Sequence, residues 1–154
     1  MQSHWQQRYV EGNTPSDLGD AHPLMDRLFE LARPLILDTQ SALVPGCGYG
    51  HEVPYLARFF HAVRGSDYVP EAIAGAKQRY SGMRGAEFTV ADATALPKED
   101  EQGKYDLIFD RAMYCAVLPE VRVGYIQACV DRLKPKGVWM SILFTKFVDP
   151  TLQG

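Results

Sequence analysis

Three acids and a glycine turn are the residues whose types and spacing can do chemistry. Gly46-Cys47-Gly48-Tyr49-Gly50 follows the apolar run Ser41 to Pro45 and precedes a helical pattern that begins at Glu52. A backbone without side chains at that junction lets a ligand approach the peptide groups directly. Asp67, Asp92 and Asp110 each close a later apolar run. Singly, an aspartate after a strand reads as a turn former or a helix cap. Together, four consecutive strand ends bring a glycine turn and three carboxylates to one sheet edge, which reads as a ligand site.

The spacing narrows the ligand. A dinucleotide fingerprint is G-x-G-x-x-G with a pyrophosphate on the helix N-terminus. Here the pattern is G-x-G-x-G, His51 stands where the third dinucleotide glycine would fall, and Glu52 follows. A carboxylate there repels a pyrophosphate but tolerates an ammonium and a sulfonium, which points from NAD towards S-adenosylmethionine. Asp67 suits two ribose hydroxyls, which a carboxylate accepts bidentately, and this fits either ligand. Asp92-Ala93 favours S-adenosylmethionine, with the acid accepting from the adenine amino group and the next N–H meeting the ring. Tyr68 has two readings, a face for the adenine or a half-buried aromatic opening a helix.

The elements that must position these residues alternate between strand and helix. Ser3 to Val10 reads as a short helix and Gly12 to Gly19 as an irregular loop. A helix from Asp20 is expected to bury Leu24, Leu28 and Leu31 and to end at Pro34. Strands are expected at Ser41 to Pro45, His61 to Asp67, Ala86 to Ala91, Tyr105 to Asp110 and Val138 to Phe144. Helices are expected at Glu52 to Phe60, at Pro70 to Tyr80 and from Pro119, the last with a stripe of Val121, Tyr125, Cys129 and Leu133. The segment from Pro97 to Lys104 reads as a solvated loop, and Pro135-Lys136-Gly137 as a turn into the fifth strand. Short links between alternating elements predict an α/β fold, a parallel sheet wound on both faces with ligands at the strands' carboxyl ends.

Composition sets the remaining bounds. The chain has 154 residues and a formal net charge of -3, the length of one domain (1–154). No Lys/Arg cluster is dense enough for a nucleic-acid face. Cys47, Cys115 and Cys129 form neither a disulfide framework nor a metal-ligand spacing, so no metal is expected. No apolar run is long enough for a membrane span and no signal peptide opens the chain, so a cytoplasmic protein is expected.

The pattern Val44-Pro45-Gly46-Cys47-Gly48, Asp67, Asp92-Ala93 and Tyr105-Asp106-Leu107-Ile108-Phe109-Asp110-Arg111 resembles class I S-adenosylmethionine-dependent methyltransferases. More narrowly, the chain is similar to the thiopurine S-methyltransferase superfamily with its thiol and halide branch. Three pieces carry that: Trp5-Gln6-Gln7-Arg8-Tyr9 with Gly12-Asn13-Thr14-Pro15; Gly48-Tyr49-Gly50-His51-Glu52; and Asp110-Arg111-Ala112 followed by Ala116 to Arg122. The resemblance implies a Rossmann-like methyltransferase core at 41–144 under an amino-terminal cap at 1–19. It implies cofactor contacts at Trp5, Tyr9, Thr14, Gly46, Asp67, Asp92 and Ala93, joined by Gly48 and Tyr68 from the glycine loop and the helix start. Arg111 falls near the transferred methyl group, and Asp110 is expected to face the cofactor's cationic methionine end. The bland alternative for Arg111 is an ion pair with Asp110 or Glu120. Where related sequences carry an aromatic this chain has Ser16, so that wall of the cofactor site is smaller or rebuilt.

The resemblance also implies a small-molecule methyl acceptor, a thiol, thiopurine or halide, methylated by in-line displacement with no strong general base. Two alternatives stay open. One is an O- or N-methyltransferase using Asp110 or Tyr114; the other is a non-catalytic S-adenosylmethionine-binding domain. Class I sheets continue past strand five into a strand hairpin, whereas this sequence stops at Gly154, so the fold is expected to lack it. Val138 to Phe144 is then an apolar edge open to self-association. Truncation is the first explanation expected; a covering partner chain or a folded-back tail would also serve.

Overall fold

The computed structural model describes residues 2–144, with side chains from His4 onward. Five strands form one parallel sheet: β1 (Ser41–Pro45), β2 (Ala62–Asp67), β3 (Ala86–Val90), β4 (Tyr105–Arg111) and β5 (Leu133–Ile142), in the order β3-β2-β1-β4-β5. The helices are α1 (Gln2–Val10), α2 (Met25–Ala32), α3 (Glu52–Leu56), α4 (Pro70–Arg79), α5 (Met113–Ala116) and α6 (Arg122–Arg132). Side-chain alternation sends Ala42 and Val44 of β1 to one face and Leu43 to the other. The first face is covered by Met25 and Phe29 of α2, Val53 and Leu56 of α3, and Ile73 and Ala76 of α4. The second is covered by Tyr125 and Cys129 of α6 with Met113 and Val117. This is the doubly wound α/β arrangement, in which β4 is buried along almost its whole length.

Strand order reverses between β1 and β4. The chain runs outward through β2 and β3, then crosses back to β4 on the other side of β1. A crevice must open where neighbouring connections leave in opposite directions, above the carboxyl ends of those two strands. The glycine loop and Arg111 stand there.

Several boundaries differ from the sequence expectation. The second helix begins at Met25, not Asp20, and buries Met25, Phe29 and Ala32, whereas Leu24 and Leu31 are 52% and 59% exposed. Both stripes have helical spacing, but Phe29 gathers Phe59, Phe60 and Tyr55 at ring-centroid separations of 4.4, 6.3 and 6.4 Å. That aromatic area sets the helix's rotation, and only Leu28 of the expected leucines packs partly against the core. The helix expected to reach Phe60 ends at Leu56.

Pro119 opens a single 3-10 turn ahead of α6; Val121 belongs to that turn and Leu133 to the next strand, leaving Tyr125 and Cys129 as the buried pair of the expected stripe. The turn expected at Pro135-Lys136-Gly137 is absorbed into β5. Pairing jumps from Tyr105 with Leu133 to Leu107 with Val138, and Lys136 takes a left-handed φ of 62°. Among the described residues β5 pairs only with β4, and it ends at Ile142, leaving Leu143 and Phe144 outside it. The tail, 145–154, whose folding over this edge is one of three possibilities, lies outside the described residues.

Candidate functional site

The glycine loop is built for close approach. Gly46 and Gly48 adopt φ of 60° and 56°, a left-handed region that side chains disfavour. Space forbids a side chain as well: a Cβ on Gly46 would stand 2.5 Å from Sδ of Met113, and one on Gly48 2.6 Å from the Tyr9 hydroxyl. The Cys47 N–H donates to the Ser66 carbonyl at 2.9 Å, carrying the β1–β2 ladder into the turn. Cys47 itself is buried, its sulfur against Gly65, and burial pushes its thiol well up, as suits a packing residue.

Above this loop lies an open cleft lined by Trp5, Tyr9, Ser16, Gly46, Asp67, Tyr68, Arg111, Ala112, Met113 and Ala116. An adjoining void continues past Gly48 to His51 and Glu52, sharing Tyr9, Ser16, Gly46 and Arg111 with the cleft. The amino-terminal segment forms one wall. Its ties are Gln6 to Glu71 at 3.0 Å, Tyr9 edge-on to Tyr49 at 5.1 Å, and Asp17 to His51 Nε2 at 2.7 Å. His51 also bonds the Tyr80 hydroxyl through Nδ1 at 2.6 Å, so both ring nitrogens serve the loop's architecture.

Asp67 closes β2 almost fully buried. It accepts the Gly48 N–H on Oδ2 at 3.0 Å and the Val69 N–H on Oδ1 at 2.9 Å. Burial raises its carboxyl above the usual range, against the lowering effect of those backbone donors. The Tyr68 N–H is a further backbone donor to this carboxylate; with about four lone-pair directions in all, the group keeps acceptor capacity where it borders the cleft. Tyr68, half-buried beside it, has its phenol pushed up to about 12, first by burial and then by Asp67 and Asp92. Both carboxylates therefore lie near that ring.

Not every expected residue reaches the cleft. Thr14 stands on the approach loop, its carbonyl accepting the Asp17 N–H at 2.9 Å, and lines neither void. Asp92 folds back on its own turn, with Oδ1 accepting the Thr94 N–H and hydroxyl at 2.8 and 2.7 Å. Ala93 is buried in the second core, and with Asp92 it borders a separate void beyond β1 and β2.

Asp110 is the clearest correction. Instead of facing the cleft it has no exposed surface; its oxygens accept the Met113 N–H at 2.7 Å, the Tyr114 N–H at 3.2 Å and the Tyr125 hydroxyl at 3.0 Å. It anchors the start of α5, the short helix that presents Met113 and Ala116 to the cleft.

Arg111 does line the cleft, paired with neither Asp110 nor Glu120. Its Nε meets Glu52 at 3.3 Å, and Nη2 donates to the Ser16 carbonyl at 3.0 Å. Glu52 is 3% exposed and also accepts the His22 N–H at 3.3 Å, so its charge is answered by the protein's own arginine. Sequence reasoning missed this pair, and with it α5 and the Ser16 carbonyl. Ala112, held at φ 62° where β4 turns into α5, carries no local sequence signal, because alanine seldom adopts that conformation.

The chain belongs to the thiopurine S-methyltransferase family, whose model matches residues 1–150. S-adenosylmethionine is the cofactor of that family. Thiocyanate methyltransferase 1 of Arabidopsis thaliana is 33% identical over 145 residues, which cover 91% of this chain and 60% of the relative. The 2-heptyl-1-hydroxyquinolin-4(1H)-one methyltransferase of Mycobacteroides abscessus is 30% identical, over 88% of this chain and 58% of its own. This chain thus spans about three fifths of the length of those relatives. The fold matches a solved structure described as converting a disulfide bond into a thioacetal group during echinomycin biosynthesis. That match has a TM-score of 0.70 at 25% identity and covers 88% of this chain and 56% of the other.

Proposed function

We propose that this protein transfers a methyl group from S-adenosylmethionine to a small, soft nucleophile, a thiol, thiopurine or halide. The observation that carries the reading is the cleft in which the left-handed Gly46, the buried Asp67 carboxylate and Tyr68 converge over the β1–β4 crevice, with Gly48 in the void beside it. The left-handed backbone at Gly46 and Gly48 fits a turn that presents its peptide groups to the cofactor, and Asp67 would hold the ribose hydroxyls. Bound there, the cofactor supplies a methyl group already activated by its sulfonium.

The cleft's own side chains explain the choice of acceptor. A phenol is protonated at neutral pH, and burial pushes those of Tyr9 and Tyr68 further up, so neither serves as a base. Asp67 is assigned to the cofactor's ribose hydroxyls, and Arg111 is committed to Glu52 and Ser16. Among the described residues, none lining the cleft is placed as a general base for a hydroxyl or amine. A thiolate or halide needs none. What remains for the protein is orientation, which can lower a barrier by roughly 7–11 kcal/mol. Trp5, Met113 and Ala116 supply an apolar wall that suits a polarizable nucleophile.

Calorimetry with S-adenosylhomocysteine, followed by turnover on thiol, thiopurine, iodide, hydroxyl and amine acceptors, tests the reading. Binding with methylation of the soft acceptors is expected. Absence of binding at millimolar ligand, or activity confined to hydroxyls and amines, overturns it.

A further inference from the structure

Arg132, the last residue of α6, lies outside the cleft and is almost fully buried. Its Nη1 donates to the carbonyls of Ala128 at 3.2 Å and Ala93 at 3.4 Å, and its Nη2 to that of Ala95 at 3.0 Å. Nη2 also stands 3.6 Å from Oε2 of Glu101, whose Oε1 lies 3.8 Å from Nη1 of Arg64. Arg64 continues the chain of charges to Glu87 on β3 at 3.2 Å.

Burying a guanidinium is costly unless its donors are satisfied. Here the fork is spent largely on backbone carbonyls of one irregular turn, the segment after β3. The same turn is held from its other side by the Asp92 carboxylate on Thr94. Every polar tie on this turn is therefore aimed at its shape, and the turn carries Asp92 and Ala93 beside Tyr68.

We infer that Arg132 is a positioning residue for the adenine end of the cofactor, holding the Asp92–Ala95 turn in the form that meets the base. This rests on the cofactor reading above. Arg132 touches no ligand; it acts through the carbonyls of Ala93 and Ala95. A lysine cannot reproduce the action, because one ammonium lacks the planar fork that reaches two carbonyls and a carboxylate together.

The experiment compares two ligands in the full chain. S-adenosylhomocysteine carries adenine, and S-ribosylhomocysteine is the same molecule without it. Arg132→Met is expected to weaken S-adenosylhomocysteine about tenfold, the share of one or two lost hydrogen bonds to a charged group, and to leave S-ribosylhomocysteine unchanged. Amide hydrogen exchange should quicken at Thr94 and Ala95 and not in β1 or β4. Arg132→Lys, a gentler change, should show the same ligand selectivity with a smaller loss. Equal losses for both ligands, or an unchanged affinity for S-adenosylhomocysteine in both variants, overturn the inference. Wild-type protein that binds neither compound overturns the cofactor reading instead, a result distinct from either.

Discussion

Asp67 and Asp110 close two strands that flank β1, and both are buried carboxylates held by backbone N–H groups, yet their surroundings differ. Asp67 takes an N–H from the glycine loop and those of Tyr68 and Val69 ahead of α4, and still borders the cleft. Asp110 takes two N–H groups from α5 and a phenol from α6, and borders neither the cleft nor the void beside it. Each accepts three donors, but one acid keeps a side open to a ligand and the other is sealed within the fold. The difference teaches that a carboxylate at a strand's carboxyl end becomes a binding group only where no later element closes over it. After β4, α5 and Tyr125 close over it.

Substitutions can break or sharpen that contrast. The largest effect is expected from Asp67→Ala, which should raise the dissociation constant of S-adenosylhomocysteine about a hundredfold by calorimetry, as two charge-assisted hydrogen bonds are lost. Asp110→Ala should instead cost about 2 kcal/mol of stability in denaturant melts, since buried donors on Met113, Tyr114 and Tyr125 lose their acceptor. Its ligand affinity should change less than about threefold. Were Asp110→Ala to abolish binding while the fold held, the contrast would collapse.

The smallest effect is one of pH. Burial raises both carboxyls above their ordinary 3.8 in the folded chain, so folding takes up protons between that value and the raised ones. The associated stability is fully present below 3.8 and is lost as pH rises through the folded-state values. Asp110→Asn should flatten this part of the stability profile measured from about pH 3 to about pH 7, with the Asp67 contribution left in place. An unaltered profile would mean that Asp110 titrates in the folded chain as it does unfolded.

Much of the site was legible in the residues themselves. Gly46 and Gly48 announced a bared loop because glycine alone tolerates both their φ and the crowding by Met113 and Tyr9. Strand runs covered on both faces announced the sheet, because two covered faces require unbroken apolarity. What escaped was the partner of each charge. Glu52 and Arg111 are 59 positions apart, and nothing local says that they meet. Nor did local pattern choose between the leucine and Phe29 stripes of α2, which share one period and differ only in phase.

The sequence by itself determined the strand and helix alternation, the glycine loop, and the delivery of three acids to one edge of the sheet. Periodicity and backbone sterics act over a few residues and leave their mark there. Only the tertiary structure decided that Asp67 faces the cleft, that Asp110 is sealed beneath α5, and that Arg132 reaches the turn after β3. Those outcomes depend on which element packs over which strand end, and packing joins residues that the chain keeps far apart.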